Sequence, residues 1–320
     1  NKLSMPFIAY ILGMCAKNFV SYVGNPKLMN NIVAKIPLEI PENYLEQSTI
    51  ANILTTIDQA IEKTEQLIAK YERTKTGLMQ DLLTRGIDEQ GNIRSEETHE
   101  FKDSGLGRIP REWEVGELGA WLRCSPKNGY SPKAVDHPTG RLMLGLGCLT
   151  VAGFAPLQLK NAPDADPGVD AAILREGDLL ISRSNTREFV GLAGVYRSVG
   201  VPCSYPDLMM RLTPLENATN ASFLELVLRS GPLRRQIEAA AVGTSASMAK
   251  ISGRIVTKLV VAMPPPMEQG RLLVAAQTYG AAADLSNHHR AKLRLLKSGL
   301  MEDLLTGRVR VTKLLETHAP

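Results

Sequence analysis

The chain has 320 residues, 44% hydrophobic and 22% charged, with a formal net charge of +4. This is the balance of an ordinary globular protein, long enough for one large or two modest domains, and its mild basicity permits a polyanionic partner without requiring one. The four cysteines (Cys15, Cys124, Cys148, Cys203) lie far apart with no C-x-x-C pair, which argues against a disulfide framework or a zinc site and for reduced thiols in the cytoplasm.

The longest apolar stretch, Met5 to Ala16, contains Pro6 and is followed by Lys17. It falls short of the roughly 20 residues that span a bilayer and has no small-residue cleavage pattern behind it, so a buried helix is expected and no membrane contact. The chain opens on Asn1 rather than Met, which points to sequence upstream. After a stop at Ile36 to Pro41, the residues Ile50, Leu54, Ile57, Ile61, Thr64, Ile68, Tyr71, Lys75, Leu78 and Leu82 step by four and three alternately. That a/d stripe predicts a long helix in need of a partner. From Gly86 to Gly107 the chain is polar and turn-rich. Beyond Ile109-Pro110 come short strand-like runs: Trp113 to Leu118, Arg141 to Leu146, Asp178 to Ser182, Leu192 to Arg197 and Leu208 to Leu212. Phe223 to Val242 reads as two helical turns and a second helix, broken at Gly231-Pro232.

After Pro264-Pro265-Pro266 the chain repeats itself. Thr76-Gly77-Leu78-Met79-Gln80-Asp81-Leu82-Leu83 returns as Ser298-Gly299-Leu300-Met301-Glu302-Asp303-Leu304-Leu305, and Glu46-Gln47 returns as Glu268-Gln269. Both pairs are 222 positions apart, so the segment from Glu46 to Leu83 aligns without a gap. Farther upstream Ile40-Pro41 answers Met263-Pro264, and Phe7-Ile8 answers Phe223-Leu224. The second copy carries the stripe as Leu272, Ala276, Tyr279, Ala283, Ser286, Arg290, Leu293, Lys297, Leu300 and Leu304. Two such helices predict an antiparallel intramolecular pair roughly 57 Å long at ~1.5 Å per residue; a plain dimerisation coiled coil is the alternative.

On these residues the chain resembles the specificity subunits of type I restriction–modification enzymes. The resemblance rests on the proline–Glu–Gln start of each long helix, on the Gly-Leu-Met-x-Asp-Leu-Leu-Thr ending, and on the string Leu106-Gly107-Arg108-Ile109-Pro110-Arg111-Glu112-Trp113-Glu114-Val115. The runs from Leu174 to Arg183 and from Ser204 to Leu208 add to it. The fold class it implies is α/β, a mixed α+β target-recognition domain, plus long antiparallel coiled-coil helices. Residues 1–45 would be the C-terminal remnant of a first recognition domain, 46–86 the first spacer helix and 87–106 a linker. Residues 107–265 would be a complete second recognition domain, 266–308 the second spacer helix and 309–320 a tail. The implied function is non-catalytic reading of a bipartite site in double-stranded DNA, without a cofactor, as partner of methyltransferase subunits and a restriction motor subunit. A rival is a truncated scaffold that binds methyltransferase subunits, or a second copy of the chain, without reading DNA.

Base reading calls for Arg or Lys toward guanine and for Asn or Gln toward adenine, with cations and small donors for phosphates. Arg183, Ser184, Asn185, Thr186 and Arg187 supply all of these in one run after a strand. A second candidate comprises Thr244, Ser245, Ser247 and Lys250, with Arg254 behind them. A third is Lys127, Asn128 and Tyr130, whose ring would stack or merely pack. The basic residues Arg290, Lys292, Arg294, Lys297, Arg308, Arg310 and Lys313 would face DNA, a partner subunit or solvent. The sequence contains no P-loop and no Asn/Asp-Pro-Pro-aromatic methyltransferase tetrapeptide, and neither Pro163-Asp164 nor Pro206-Asp207 is completed into a nuclease motif.

Overall fold

A computed structural model describes residues 2–20, 28–133, 135–243 and 248–312. The chain divides into two compact units, Asn1–Thr74 with Tyr279–Pro320, and Lys75–Thr278.

The first unit opens with α1 (Met5–Cys15), a helix where the apolar stretch calls for one but with only Phe7 and Ile11 buried, and the short α2 (Asn30–Val33). The long helix α3 (Tyr44–Thr84) follows, with one end in each unit. Every position of its a/d stripe is buried or half-buried. In this unit Ile50, Ala51 and Leu54 of α3 share a core with Phe7 and Ile11 of α1, with Leu304 and Leu305, and with Val311. The start of one long helix thus lies beside the end of the other, as an antiparallel pair requires. Ion pairs flank the seam: Lys297 to Asp58 and Arg294 to Glu65, each at 2.6 Å.

The second unit is laid out in chain order as β1 (Phe101–Ser104), β2 (Gly107–Pro110), β3 (Glu114–Glu117), β4 (Lys127–Asn128), β5 (Leu142–Leu144), β6 (Leu149–Thr150), β7 (Gly153–Phe154) and β8 (Leu159–Asn161). After α4 (Pro167–Ala171) come β9 (Leu179–Ser182), β10 (Ser184–Asn185), β11 (Ala193–Val195), β12 (Cys203–Ser204) and β13 (Met209–Leu212). Then follow α5 (Ala221–Leu228), α6 (Gly231–Ala240), β14 (Ala249–Lys250), α7 (Gly253–Thr257), β15 (Val260–Met263) and α8 (Pro266–Leu305). The central sheet, ordered β11-β9-β13-β4, is antiparallel. All four residues of β9 are buried, and alternation assigns its three apolar ones to two cores. Leu179 and Ile181 join a cluster with Trp113, α5, α6 and the helix-end residues Leu82 and Leu272. Leu180 joins a second cluster with Leu144, Cys203 and Tyr205. Strand β5 pairs parallel with β12 and antiparallel with β8, backing that second cluster. Burial there pushes the Cys203 thiol up to about 12, so it remains a neutral apolar filler.

The described stripe positions of α8 are likewise buried or half-buried; the side chains of Tyr279 and Ala283 lie outside the described ones. One difference from the sequence concerns the polar segment after α3. It contains an Ile87–Ile93 bridge and ends in the β1–β2 hairpin. Its polar residues satisfy the turns themselves, since the Asp88 carboxylate accepts the N–H groups of Gln90 and Asn92.

The repeated Glu-Gln doublets are buried latches. Glu268 accepts hydrogen bonds from the Ile87 N–H (3.1 Å), Arg94 Nη1 (2.9 Å) and Trp113 Nε1 (3.0 Å). Gly86 makes this possible: its φ is +69°, and a Cβ there would land on the Glu268 carboxylate. Gln269 donates to the carbonyls of Ala218 (2.8 Å) and Pro264 (2.9 Å) and accepts the Thr219 hydroxyl (2.9 Å), next to the start of α5. The first unit repeats the scheme. Gln47 donates to the Pro41 carbonyl (2.8 Å) and accepts the Ser4 N–H (2.9 Å) at the start of α1. Glu46 takes Arg310 through both oxygens, at 2.6 and 2.7 Å.

The Arg310 hydrogen bonds hold the Glu46 carboxyl below the ordinary glutamate value of 4.5. Its contribution to stability is therefore complete above that value and lost as pH falls through the lowered one. Replacing Arg310 with Met should lower the melting temperature at neutral pH and shrink the difference from wild type as pH falls through the carboxylate range. Melting curves between about pH 7 and 3 check this; a difference that stays constant through acid would contradict it.

Candidate nucleic-acid interface

The strongest candidate segment leaves the sheet at the end of β9. The Ser182 hydroxyl donates to the Phe189 carbonyl (2.9 Å), and Gly191 N–H donates to the Ser182 carbonyl (2.8 Å), closing the base of a loop. Within it Phe189 and Val190 both donate backbone N–H groups to the Thr186 carbonyl. The excursion is a hydrogen-bonded turn, a good platform for presenting side chains.

Three sequence segments converge here. Strand β10 pairs antiparallel with β14, placing Ser184 opposite Lys250 and Asn185 opposite Ala249. The Arg183 carbonyl accepts the Ile251 N–H (2.9 Å), and the Arg183 N–H donates to the Leu208 carbonyl (2.7 Å). Lys127 and Asn128 form the outermost strand beside β13, opposite Arg211 and Met210. Arg183 Nη1 also donates to the Asp207 carbonyl (3.4 Å), while the Asp207 carboxylate receives the Ser131 hydroxyl. The third segment is thereby tied to the first.

The side chains divide by exposure. Lys127, Asn128, Arg187 and Lys250 are exposed, and among the described residues none of the three cations has an acidic partner. Arg187 Nη1 donates to the Glu238 carbonyl (3.0 Å), which steadies the guanidinium and leaves its other donors available. Arg183, Asn185 and Thr186 are half-buried, and Ser184 is buried. The Asn185 side chain accepts the Thr186 N–H (2.8 Å), whereas the Thr186 hydroxyl is buried with no partner among the described residues. The Tyr130 ring packs on Gly168 with part of its surface open, and its N–H donates to the Tyr205 carbonyl (3.0 Å). Beneath it Tyr205 donates its hydroxyl to the Lys127 carbonyl (3.3 Å); burial pushes that phenol up, so it stays a neutral donor. Gly129 admits no side chain, because a Cβ would fall on the Tyr205 and Pro206 carbonyls. Thr244, Ser245 and Ser247 lie outside the described residues, as does Lys313.

Four of the basic residues of the second long helix and tail are ion-paired within the chain. Arg294, Lys297 and Arg310 pair with Glu65, Asp58 and Glu46 of α3, and Arg308 pairs with Glu302 and Asp303. Sequence reasoning identified the Glu-Gln doublets as a repeat but missed their part as latches. Their recurrence at one fixed spacing was the signal. Among the described residues, no group of three or more His, Cys, Asp or Glu is placed to hold a metal ion, and no helix is long and apolar enough to cross a membrane.

No family model matches the chain. It is 24% identical over 304 residues to the type I restriction enzyme MjaVIII specificity subunit of Methanocaldococcus jannaschii, a match covering 90% of this chain and 64% of that protein. It is also 24% identical over 325 residues to the MjaX specificity subunit of the same organism, covering 97% of this chain and 69% of that one. The chain thus spans about two thirds of the length of these curated relatives. In fold it is similar to the solved type I restriction–modification S subunit from M. genitalium, with a TM-score of 0.55 and 15% identity, covering 94% of this chain and 72% of that one. With its duplicated helices and the mixed unit between them, the chain is similar in sequence and in fold to the specificity subunits of type I restriction enzymes.

Proposed function

We propose that this chain is a non-catalytic DNA-recognition subunit, in which the strip formed by Lys127–Tyr130, Arg183–Arg187 and the β14 segment reads part of a split duplex site. The observation that carries the proposal is that three distant segments, rich in the side chains that match base edges and phosphates, are tied together by the β10–β14 pair and by the hydrogen bonds of Arg183 to Leu208 and Asp207, and carry exposed cations without acidic partners among the described residues. The antiparallel long helices act as a spacer on which methyltransferase subunits dock, and a restriction motor subunit joins that assembly in the cytoplasm. In this scheme residues 107–265 form the complete recognition domain and residues 1–45 the last part of another, with 46–86 and 266–308 as the spacer.

Selection from a random duplex pool by the full chain tests the proposal. A short enriched motif, bound with steep salt dependence, is expected. Retained assembly with methyltransferase subunits but no enriched motif would instead favour a scaffold that does not read DNA.

A further inference from the structure

A cleft of about 570 Å³ lies between α6 and α7, beside the strip assigned above and lined by Arg254, which follows its second segment. Its apolar lining is formed by Ala239, Ala240, Ile255 and Leu259, and the two small alanines leave that side low. Its fixed polar groups are already satisfied. The Gln236 side chain donates to the Val260 carbonyl and accepts the Val260 N–H, both at 2.9 Å, and the Ser252 hydroxyl caps Ile255 N–H at 3.2 Å. The groups left over are the exposed cations Arg254 and Lys258, which have no ion pair among the described residues. The cleft thus offers charge, rather than a fixed pattern of donors and acceptors, and suits an anionic occupant.

The cleft is continuous with the strip. Helix α6 ends at Ala240, and two residues on Val242 exchanges backbone hydrogen bonds with Lys250 at 2.8 and 2.9 Å. Helix α7 starts directly after Lys250–Ser252, and Gly253 sits beside Pro126, the residue before Lys127. We infer that this cleft seats the sugar–phosphate backbone of the duplex next to the bases read by the strip, with Arg254 and Lys258 each neutralising a phosphate and the low alanine side letting the backbone approach closely. The inference rests on the DNA-reading function proposed above and extends it to a surface that carries affinity without sequence information.

The test uses the full chain and a fluorescent duplex containing the selected motif, with a scrambled duplex alongside, titrated between about 50 and 200 mM salt. The Arg254→Gln/Lys258→Gln variant should weaken binding to both duplexes by a similar factor, about tenfold, and should lower the slope of log affinity against log salt by about 2. Ala239→Glu, which keeps both cations but puts a carboxylate on the alanine side, should weaken both duplexes as well. Unchanged affinity and slope in variants of a chain that still binds duplex would overturn the cleft and leave the strip standing. Loss confined to the selected motif would also overturn it, because it would make these residues base readers. A wild-type chain that binds neither duplex would overturn both proposals.

Discussion

Replacing Glu268 with glutamine should destabilise the Lys75–Thr278 unit by about 3 kcal/mol, the low end of the range for removing one partner of a buried ion pair. Three donors converge on this side chain and none accepts: the Ile87 N–H, the Arg94 guanidinium and the Trp113 indole. A carboxylate offers only acceptors, whereas an amide brings an NH2 group that must face one of those donors. The Arg94 and Glu268 side chains are only 10% and 2% exposed, so water cannot repair the mismatch. Denaturant unfolding followed by tryptophan emission reports on this region, since Trp113 is itself in the latch. A loss below about 1 kcal/mol, the scale of a solvent-exposed pair, would mean that the carboxylate is not the fastener described here. Glu46→Gln should cost less, because its Arg310 partner is largely exposed and can be resolvated.

The Arg183→Ala/Arg187→Ala variant should lose about a hundredfold or more in affinity for the selected motif, at ~1–3 kcal/mol for each arginine that the proposal places against a base. Each guanidinium uses one donor on a carbonyl of its own chain, Asp207 for Arg183 and Glu238 for Arg187, which steadies it and leaves further N–H groups to donate. Assembly with methyltransferase subunits should be retained, because the long helices are untouched. Unchanged target selection by this variant would take the loop off the reading surface.

Much of this architecture is written locally. The a/d stripes, the proline stops before each long helix and the short apolar runs around Ile181 and Met210 depend on near neighbours, and the corresponding helices and strands form at those places. The candidate strip is different. Lys127, Arg183 and Lys250 are each legible as members of polar, cationic segments, but their meeting depends on the pairing of β10 with β14 and of β4 with β13, and no local pattern encodes that register. The latches were hidden for the same reason: Glu268 finds its partners 155 to 181 positions back along the chain. The basic residues of α8 also mislead when read alone. Arg294 looks like a free cation until Glu65, 229 positions away, is brought alongside it. The polar segment after α3 reads as a linker because turn formers and linkers share a composition, although here the turns close on themselves and carry Arg94 into the core.

The central claim, that this chain chooses a DNA sequence for partner enzymes, is tested most directly by co-expressing it with a type I methyltransferase subunit and mapping methylated adenines across the host genome. A new methylated motif that disappears with the Arg183→Ala/Arg187→Ala variant is the expected result. A stable complex that leaves no new methylated motif would contradict the claim and leave the chain as an assembly scaffold.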